Sequence, residues 1–257
     1  MSVRRSVARS RVPLDRQEVE ALTSVWRARG LIPVLIAVGS AFGAWSLLLP
    51  VVPTAVIDAG QPETLAGLST GVFMLATVIT QVFTPWLLRV VGYRAVIAFS
   101  ALLLGAPAFG YMLGMDAITL LPVSAVRGVG FGALSVAEAA IIAELVPLRL
   151  LGRATGLLGL VVGAAQMLAL PLGLAMVNAV GYNAVYVLGA TVGLVSLVVS
   201  IFIPSITPAE HDRAATNVVR VPTWHLVLVP ALALMFVTTA YGAITNFLPV
   251  SMRELDP

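Results

Sequence analysis

Two ionisable residues lie inside one long apolar run of this chain, Arg127 and Glu138 between residues 118 and 143. Charged side chains are costly in hydrocarbon, so they are retained where they face a cavity or a functional partner. Eleven residues separate the two, which returns an α-helix to within about 20° of the same face. They are also about 16 Å apart along the axis, too far to pair directly. This arrangement predicts a pathway for protons or a polar solute.

The run that holds both residues is one of seven apolar runs, and together they indicate an integral membrane protein. Hydrophobic residues make up 59% of the 257 residues and charged residues only 11%. Each run is about 20 residues long, enough for a helix to cross roughly 30 Å of hydrocarbon. The runs are apolar on all sides, whereas the strands of a membrane barrel alternate. The predicted spans are residues 31–53, 66–88, 95–114, 118–143, 153–177, 183–204 and 223–250.

The first six runs form two copies of a three-helix repeat. Residues 39–46, GSAFGAWS, match residues 128–135, GVGFGALS, in register. At the same offset of 89 positions, residues 91–96, VGYRAV, match residues 180–185, VGYNAV. Three spans are an odd number, so the second copy must cross the membrane in the opposite direction to the first. Such inverted repeats are typical of secondary transporters.

The distribution of arginine predicts a cytoplasmic N-terminus. All fifteen basic residues are arginines, and seven of them lie in the arm formed by residues 1–30. Loops on the same side add Arg89, Arg94, Arg149, Arg153, Arg213 and Arg220. The opposite loops carry Asp58, Glu63 and Asp116 instead, with Arg253 beyond the seventh span. By the positive-inside rule, the chain is expected in the cell (inner) membrane as a multi-pass protein with this orientation.

Two stretches of the second repeat copy resemble the major facilitator superfamily of secondary transporters. Residues 127–132, RGVGFG, are similar to that family's fourth-helix motif, an intramembrane arginine followed by glycines. Residues 144–147, ELVP, followed by Arg153, resemble its loop between helices four and five. Glu144, Pro147 and Arg153 are therefore expected to form that loop motif. The resemblance extends over nearly the whole chain, from the first span to the seventh.

The loop after the second span matches the same family less closely. The family pattern is G-x-x-x-D-R-x-G-R-R, and only Gly92 and Arg94 follow it here, while Arg89 stands where the family has aspartate. These three residues are expected to form the cytoplasmic gate loop. Glycine still permits the tight turn, and Arg94 can still anchor the helix end. The departure at Arg89 puts the family's charge latch in doubt.

The resemblance implies an all-α, MFS-like bundle of two inverted three-helix repeats, spans 1–3 and 4–6, with a seventh span. In that family, helices one, four and seven border a central cavity, and the fourth-helix arginine is associated with proton coupling. The expected substrate or proton pathway is lined by Trp45, Arg127, Glu138, Tyr241 and Asn246. The implied function is secondary transport of a small solute by alternating access, with proton coupling as a hypothesis. A lipid bilayer, the solute and protons are the expected partners; no nucleic acid, cofactor or metal is expected.

The same resemblance predicts a domain organisation. Residues 1–30 are a cytoplasmic arginine-rich arm, and residues 31–204 are a six-helix N-terminal half. Residues 205–222 form a cytoplasmic linker, and residues 223–257 are the first helix of an incomplete C-terminal half. Because the family normally has twelve helices, the chain is expected to be a truncated or partial transporter. A missing C-terminal half, self-association or another chain is then needed to close the cavity.

Alternatives from other functional classes are a seven-helix receptor or sensor, and a membrane fragment that transports nothing. A cytoplasmic N-terminus is opposite to the usual receptor topology, and a chain without lysine cannot hold retinal by a Schiff base.

An intramembrane serine protease is a further alternative, because Ser135 and His225 are the minimum for nucleophilic catalysis. Ser135 has a repeat counterpart in Ser46, as expected of helix packing. No enzyme activity is expected, and ion or solute gradients would supply the energy.

The inverted repeat makes a prediction about topology. Gly92 and Gly181 occupy the same repeat position, so they are expected on opposite sides of the membrane. The chain contains no cysteine, which allows single cysteines to be introduced at each site. Impermeant thiol reagents applied from outside should label only the cysteine at position 181. Labelling of both positions from the same side would contradict the inverted repeat.

Overall fold

A computed structural model describes residues 19–206, together with Leu228, Leu232, Ala233 and residues 235–237. Within this part of the chain, six helices are long and apolar enough to cross a membrane. They are α1 (Leu31–Asp58), α2 (Glu63–Val91), α3 (Tyr93–Met112), α4 (Ala117–Leu145), α5 (Leu148–Val180) and α6 (Tyr182–Ser200). They confirm the first six predicted spans and the all-α class. Most of the seventh span, including Tyr241 and Asn246, lies outside the described residues.

The helices extend past the apolar runs into polar sequence at several ends. The apolar pattern places the start of the second span at residue 66 and that of the fifth at residue 153. In the structure α2 begins at Glu63 and α5 at Leu148. Hydropathy marks only the part of a helix that lies in hydrocarbon, whereas backbone hydrogen bonds continue until a residue breaks them. Pro62 and Pro147, both in extended conformation, immediately precede these two helices.

The two repeat copies share the same tight turn. Gly92 joins α2 to α3 with φ 85° and ψ 165°, and Gly181 joins α5 to α6 with φ 84° and ψ 169°. The Gly92 N–H donates to the Leu88 carbonyl and the Gly181 N–H to the Val177 carbonyl, each at 2.9 Å. Positive φ favours glycine, so a cysteine at either glycine is strained. The neighbouring substitutions R94C and N183C probe the same turns without that strain.

Two prolines interrupt α1 near one end. Its α-helical parts are Leu31–Leu48 and Val51–Asp58, separated by a turn at Leu49 and Pro50. Pro50 and Pro53 have no N–H, so neither can donate the backbone bond that would continue the helix. The hydroxyl of Thr54 donates to the carbonyls of Pro50 and Val51, both at 2.9 Å. The Thr54 N–H also donates to the Pro50 carbonyl, at 3.4 Å, so the helix resumes directly after the interruption.

Glycines allow α4 to lie close to two neighbouring helices. A Cβ at Gly130 would lie 2.7 Å from the Ser100 carbonyl oxygen of α3. On the other side, a Cβ at Gly128 or Gly132 would collide with backbone carbonyls of Phe73 and Thr77 in α2. Without a large hydrophobic driving force between helices in lipid, such close backbone approach is a main source of packing energy. These contacts fix the position of the helix that carries Arg127.

Charges are divided between the two ends of this bundle. The described arginines other than Arg127 all lie where α1 begins, at the turn between α2 and α3, and where α5 begins. The opposite end carries Asp58, Glu63 and Asp116. The side chain of Asp116 accepts from the backbone N–H groups of Ile118 and Thr119, which caps α4. A hydrogen bond from the Thr119 hydroxyl lowers the pKa of Asp116, so this carboxylate is ionised at neutral pH.

We predict that G130A destabilises the bundle, because the added methyl group must push α3 away from α4. The expected loss is about 1–3 kcal/mol, typical of overpacking at a tight contact. G159A is the matched control, since a Cβ at Gly159 of α5 meets no atom of the described chain within 4 Å. In a helix, alanine is favoured over glycine by about 1 kcal/mol, so this variant should be as stable as the parent or more so. Thermal denaturation in detergent compares the two, and equal melting temperatures would contradict the packing argument.

Candidate functional site

Arg127 is the most deeply buried charged side chain that the structure describes, with 3% of its surface exposed. Its Nε donates to the backbone carbonyl of Leu104 at 3.0 Å. Its Nη1 donates to the hydroxyl of Tyr111 at 3.3 Å. Its Nη2 is buried without a hydrogen-bond partner among the described residues. The guanidinium is therefore fixed by α3 but keeps one donor group for another ligand.

The carbonyl of Leu104 is available because α3 changes its geometry beside it. The α-helical part ends at Gly105, and residues Ala106–Met112 continue as a 3-10 helix. In a 3-10 helix the donor for a carbonyl lies three residues later, and for Leu104 that residue is Pro107, which has no N–H. A buried carbonyl without its helical partner is a strong acceptor for a guanidinium. A local backbone change thus creates half of the arginine's binding site.

Tyr111 supplies the other half of the contact surface for Arg127. Its ring centroid lies 5.4 Å from the guanidinium carbon, a distance at which a cation is attracted to an aromatic face. Its hydroxyl is also 3.3 Å from the hydroxyl of Ser124, one turn before Arg127 in α4. Tyr111 is itself buried, with 3% exposed surface. Arg127, Tyr111 and Ser124 form a continuous polar group inside the bundle.

A cleft opens beside this polar group, between α1, α2, α3 and α4. Its lining includes Trp45 and Arg127, two of the residues predicted for the pathway. The other lining residues are Leu48, Leu49, Val52, Pro53, Ser69, Thr70, Phe73, Tyr111 and Ser124. The cavity volume is about 30 Å³, enough for one or two water molecules. A solute can enter only if the surrounding helices move apart.

Two residues of the cleft lining, Trp45 and Phe73, belong to a cluster of four aromatic side chains. Phe131 lies at their centre, stacked on Trp45 with ring centroids 4.5 Å apart. Phe42 and Phe73 contact the same ring at 5.2 and 5.7 Å. Aromatic pairs at these separations add about 0.5–1.5 kcal/mol beyond their buried area. The cluster joins α1, α2 and α4 just beyond Arg127.

Glu138 belongs to a different part of α4 and does not line the cleft. Phe131 lies between Arg127 and Glu138 along the helix, so the aromatic cluster stands between the two charged residues. Glu138 is half-buried, and its Oε2 has no hydrogen-bond partner in the described part of the chain. Nearby, Gln81 of α2 donates to the Ser135 hydroxyl at 3.0 Å. The predicted pathway therefore has two separate polar sites.

The residues predicted for the loop motifs lie together at the arginine-rich end. Glu144, in the last turn of α4, interacts with the hydroxyl of Tyr93 at the start of α3. This contact connects the predicted gate loop to the predicted loop between α4 and α5. Gly92 forms the turn of the first loop, and Pro147 immediately precedes α5 in the second. The remaining loop arginines differ in exposure, with Arg89 and Arg153 exposed and Arg94 half-buried.

Sequence reasoning missed Tyr111, which holds Arg127, and Phe131, which packs against the cleft residues Trp45 and Phe73. A tyrosine near the end of an apolar span is typical of interfacial anchoring, and a phenylalanine in a repeat motif is typical of packing. Neither residue type therefore signals a site by itself. Tyr241 and Asn246 lie outside the described residues. In the described part of the chain, no group of three metal-binding side chains comes together.

Comparisons with known proteins show the family and the fold of the chain. The family model described as the Major Facilitator Superfamily matches residues 34–256. A crystal structure of a mutant peptide transporter, POT, matches 93% of this chain with a TM-score of 0.63 and 17% identity. The same mutant in complex with sulfate matches 92% with a TM-score of 0.61 and 17% identity. The chain covers 54% and 53% of those two chains, about half their length. No curated protein matches significantly.

We predict that F131A opens the cleft and destabilises the bundle by about 3 kcal/mol, since it removes the ring shared by three aromatic contacts. The reporter is Trp45, made the single tryptophan by replacing Trp26, Trp86 and Trp224 with phenylalanine. Its fluorescence should shift to longer wavelength as water reaches the indole.

F109A is the matched control, because the Phe109 side chain is exposed and outside the aromatic cluster. It should leave the emission of Trp45 unchanged. An equal shift in both variants would show that Phe131 does not seal this cleft.

Proposed function

The chain belongs to the major facilitator superfamily, and from that premise we propose that its six helices act as one half of a secondary transporter. The half would move a small solute across the membrane by alternating access. The observation that carries this proposal is Arg127, a buried guanidinium held by α3 whose Nη2 has no hydrogen-bond partner among the described residues. A fixed cation in a cleft is suited to binding an anionic or polar group of a solute.

The narrow cleft supports alternating access in particular. About 30 Å³ is too small for a metabolite, while glycine contacts between α4 and its neighbours allow close backbone approach without interlocking side chains. Helices in contact through small residues can slide over one another at low cost. Movement of α1 and α2 relative to α4 would separate Trp45 from Phe131 and expose Arg127 to solute.

Proton coupling is proposed for Glu138. A carboxyl oxygen buried in a membrane protein without a partner is costly when ionised and can bind a proton instead. The aromatic cluster separates this carboxyl from Arg127, so the two residues would act at different stages of the transport cycle. A transporter that is driven by an ion gradient needs no catalytic centre, which agrees with a non-enzymatic function.

The second half of the cavity would be supplied by another helical bundle. Gly67 and Gly71 of α2, and Gly156 and Gly163 of α5, have no described atom within 4 Å of an added Cβ. These helices occupy the same position in the two repeat copies. Both are poorly buried within the described chain: only 28% of the apolar 18-residue window of α2 and 11% of that of α5 is buried. Open glycine faces are suited to close helix contacts. A C-terminal half, a second copy or another chain would cover them.

The direction of the bundle in the membrane is also a proposal. The arginine-rich end would face the cytoplasm and the end with Asp58 would face outwards, in the cell membrane.

The matched solved structures are named as peptide transporters. Dialanine is therefore the first solute to test for uptake into proteoliposomes.

A test that needs no substrate uses the chain's lack of cysteine. Thr70 lines the cleft, so T70C should react with an impermeant maleimide only while the cleft is open. T64C, at an exposed position of the same helix, measures how the reaction of a freely accessible thiol depends on pH. The corrected rate is the labelling rate of T70C divided by that of T64C. If proton binding by Glu138 moves the helices, the corrected rate should differ at least threefold between about pH 6 and pH 8.

The variant E138Q should abolish this pH dependence, because glutamine cannot exchange a proton. E63Q, which removes an exposed carboxylate at the other end, should preserve it. A corrected rate that changes with pH equally in all three proteins would overturn the role of Glu138. A rate that never changes, with or without solute, would argue against alternating access in this chain.

A further inference from the structure

A second and larger pocket lies at the acidic end of the bundle, outside the central cleft. Its volume is about 250 Å³, against about 30 Å³ for the cleft beside Arg127. The pocket lies between the ends of α1, α3 and α6. Its side chains that can form polar or aromatic contacts are Asp58, Tyr111, Met115, Tyr182, Asn183 and Tyr186.

Three tyrosines in this pocket form a continuous row. The ring centroids of Tyr182 and Tyr186 are 6.3 Å apart, and those of Tyr186 and Tyr111 are 5.6 Å apart. Tyrosines near helix ends usually anchor a protein at the membrane interface. Here Tyr186 has 2% and Tyr111 3% exposed surface, so these two rings cannot serve as lipid anchors. They pack against each other and line the pocket instead.

The pocket has a negative charge at its mouth. Asp58 is exposed at the end of α1, and its Oδ2 accepts a hydrogen bond from the Tyr182 hydroxyl at 2.6 Å. This bond fixes the carboxylate beside an aromatic ring. The deeper hydroxyl of Tyr186 donates to the Met115 sulfur at 3.9 Å, a weak acceptor. The pocket thus combines a carboxylate, aromatic faces and a polarisable sulfur.

The surrounding charges favour a cation over an anion. Asp58, Glu63 and Asp116 lie at this end, and the described arginines lie at the other end or, for Arg127, in the interior. Of the described arginines, Arg127 contacts a residue of the pocket, but that residue, Tyr111, stands between its guanidinium and the pocket, 5.4 Å from ring centroid to guanidinium carbon. A ligand held beside Tyr182 and Asp58 is further separated from Arg127 by Tyr186.

We propose that this pocket binds a compact organic ammonium cation, with its charge beside Asp58 and its alkyl groups against the rings of Tyr182 and Tyr186. Aromatic faces attract such cations, and quaternary ammonium groups in particular are recognised by aromatic cages. The carboxylate adds a direct charge contact that a neutral ligand cannot use. The cation is either a free solute or the head group of a lipid, since both present the same chemistry.

The site does not depend on the proposed transport function. It is separated from the cleft by Tyr111, and none of its charged or aromatic residues except Tyr111 lines that cleft. A failure to bind ammonium ions would leave the assignment of Arg127 and Glu138 untouched. Conversely, loss of pH-dependent access at Thr70 would not remove this pocket.

The test measures binding of radiolabelled choline to the full chain, purified in a maltoside detergent that carries no ammonium group. Choline should bind saturably and be displaced by tetramethylammonium. The neutral analogue 3,3-dimethylbutanol has the same shape without the charge, so it should displace choline at least about tenfold less well. Equal displacement by the neutral analogue would show an apolar pocket and overturn the proposal.

Matched variants locate the site. D58N should weaken choline binding about tenfold, because it removes the carboxylate but little volume. D116N is the control, since it neutralises an exposed carboxylate at the same end outside the pocket, and asparagine still caps α4. Y182F should retain most binding, because the ring remains, whereas Y182L should lose it. Equal effects of D58N and D116N would mean that binding reflects general surface charge, and would contradict the site.

The same assay in nanodiscs distinguishes the two sources of ammonium. If the occupant is a lipid head group, choline should bind in phosphatidylglycerol discs and be excluded in phosphatidylcholine discs. If the occupant is a free solute, choline should bind equally in both. Either result supports the pocket. Absence of saturable choline binding in both disc types and in detergent would overturn it.

Discussion

The structure depends on how a guanidinium is accommodated inside an apolar helical bundle. Only 3% of the surface of Arg127 is exposed, so its guanidinium needs hydrogen-bond acceptors from the protein. The change of α3 to a 3-10 helix, together with Pro107, leaves the carbonyl of Leu104 free for one of them, and Tyr111 provides the other. Both acceptors belong to one helix, which holds the arginine firmly. The position of α3 relative to α4 is therefore part of the site.

That relative position is set by residues without side chains. Gly130 brings α4 against the backbone of α3, and Gly128 and Gly132 bring it against α2. The close approach places Leu104 and Tyr111 within hydrogen-bonding distance of Arg127 and also brings Phe73 to Phe131. Packing and chemistry therefore rest on the same three glycines. In the first repeat copy, the position of Arg127 is held by Val38, which is fully buried and needs no such partner.

The two ends of the bundle differ in charge and in chemical character. At the arginine-rich end, Glu144 contacts Tyr93, and Arg149 donates to the backbone carbonyls of Glu20 and Leu22, so short polar contacts join the loops and the arm. At the other end, three tyrosines and Asp58 surround an open pocket. One end of the bundle is thus held together by hydrogen bonds between its loops, and the other end has space for a ligand. Tyr111 contributes to both the pocket and the cleft of Arg127.

The sequence by itself determined the helices, the repeat and the buried charge. Apolar runs of membrane length fix the six spans, and the recurrence of Gly92 at Gly181 gives two turns with nearly equal backbone angles, because positive φ requires glycine in both copies. Arg127 was a candidate site residue by its residue type alone, because a charged side chain in hydrocarbon is costly wherever its helix lies. Only the tertiary structure decided its partners. Leu104 and Tyr111 come from another helix, and an apolar sequence does not specify which backbone carbonyl is free or which ring faces it.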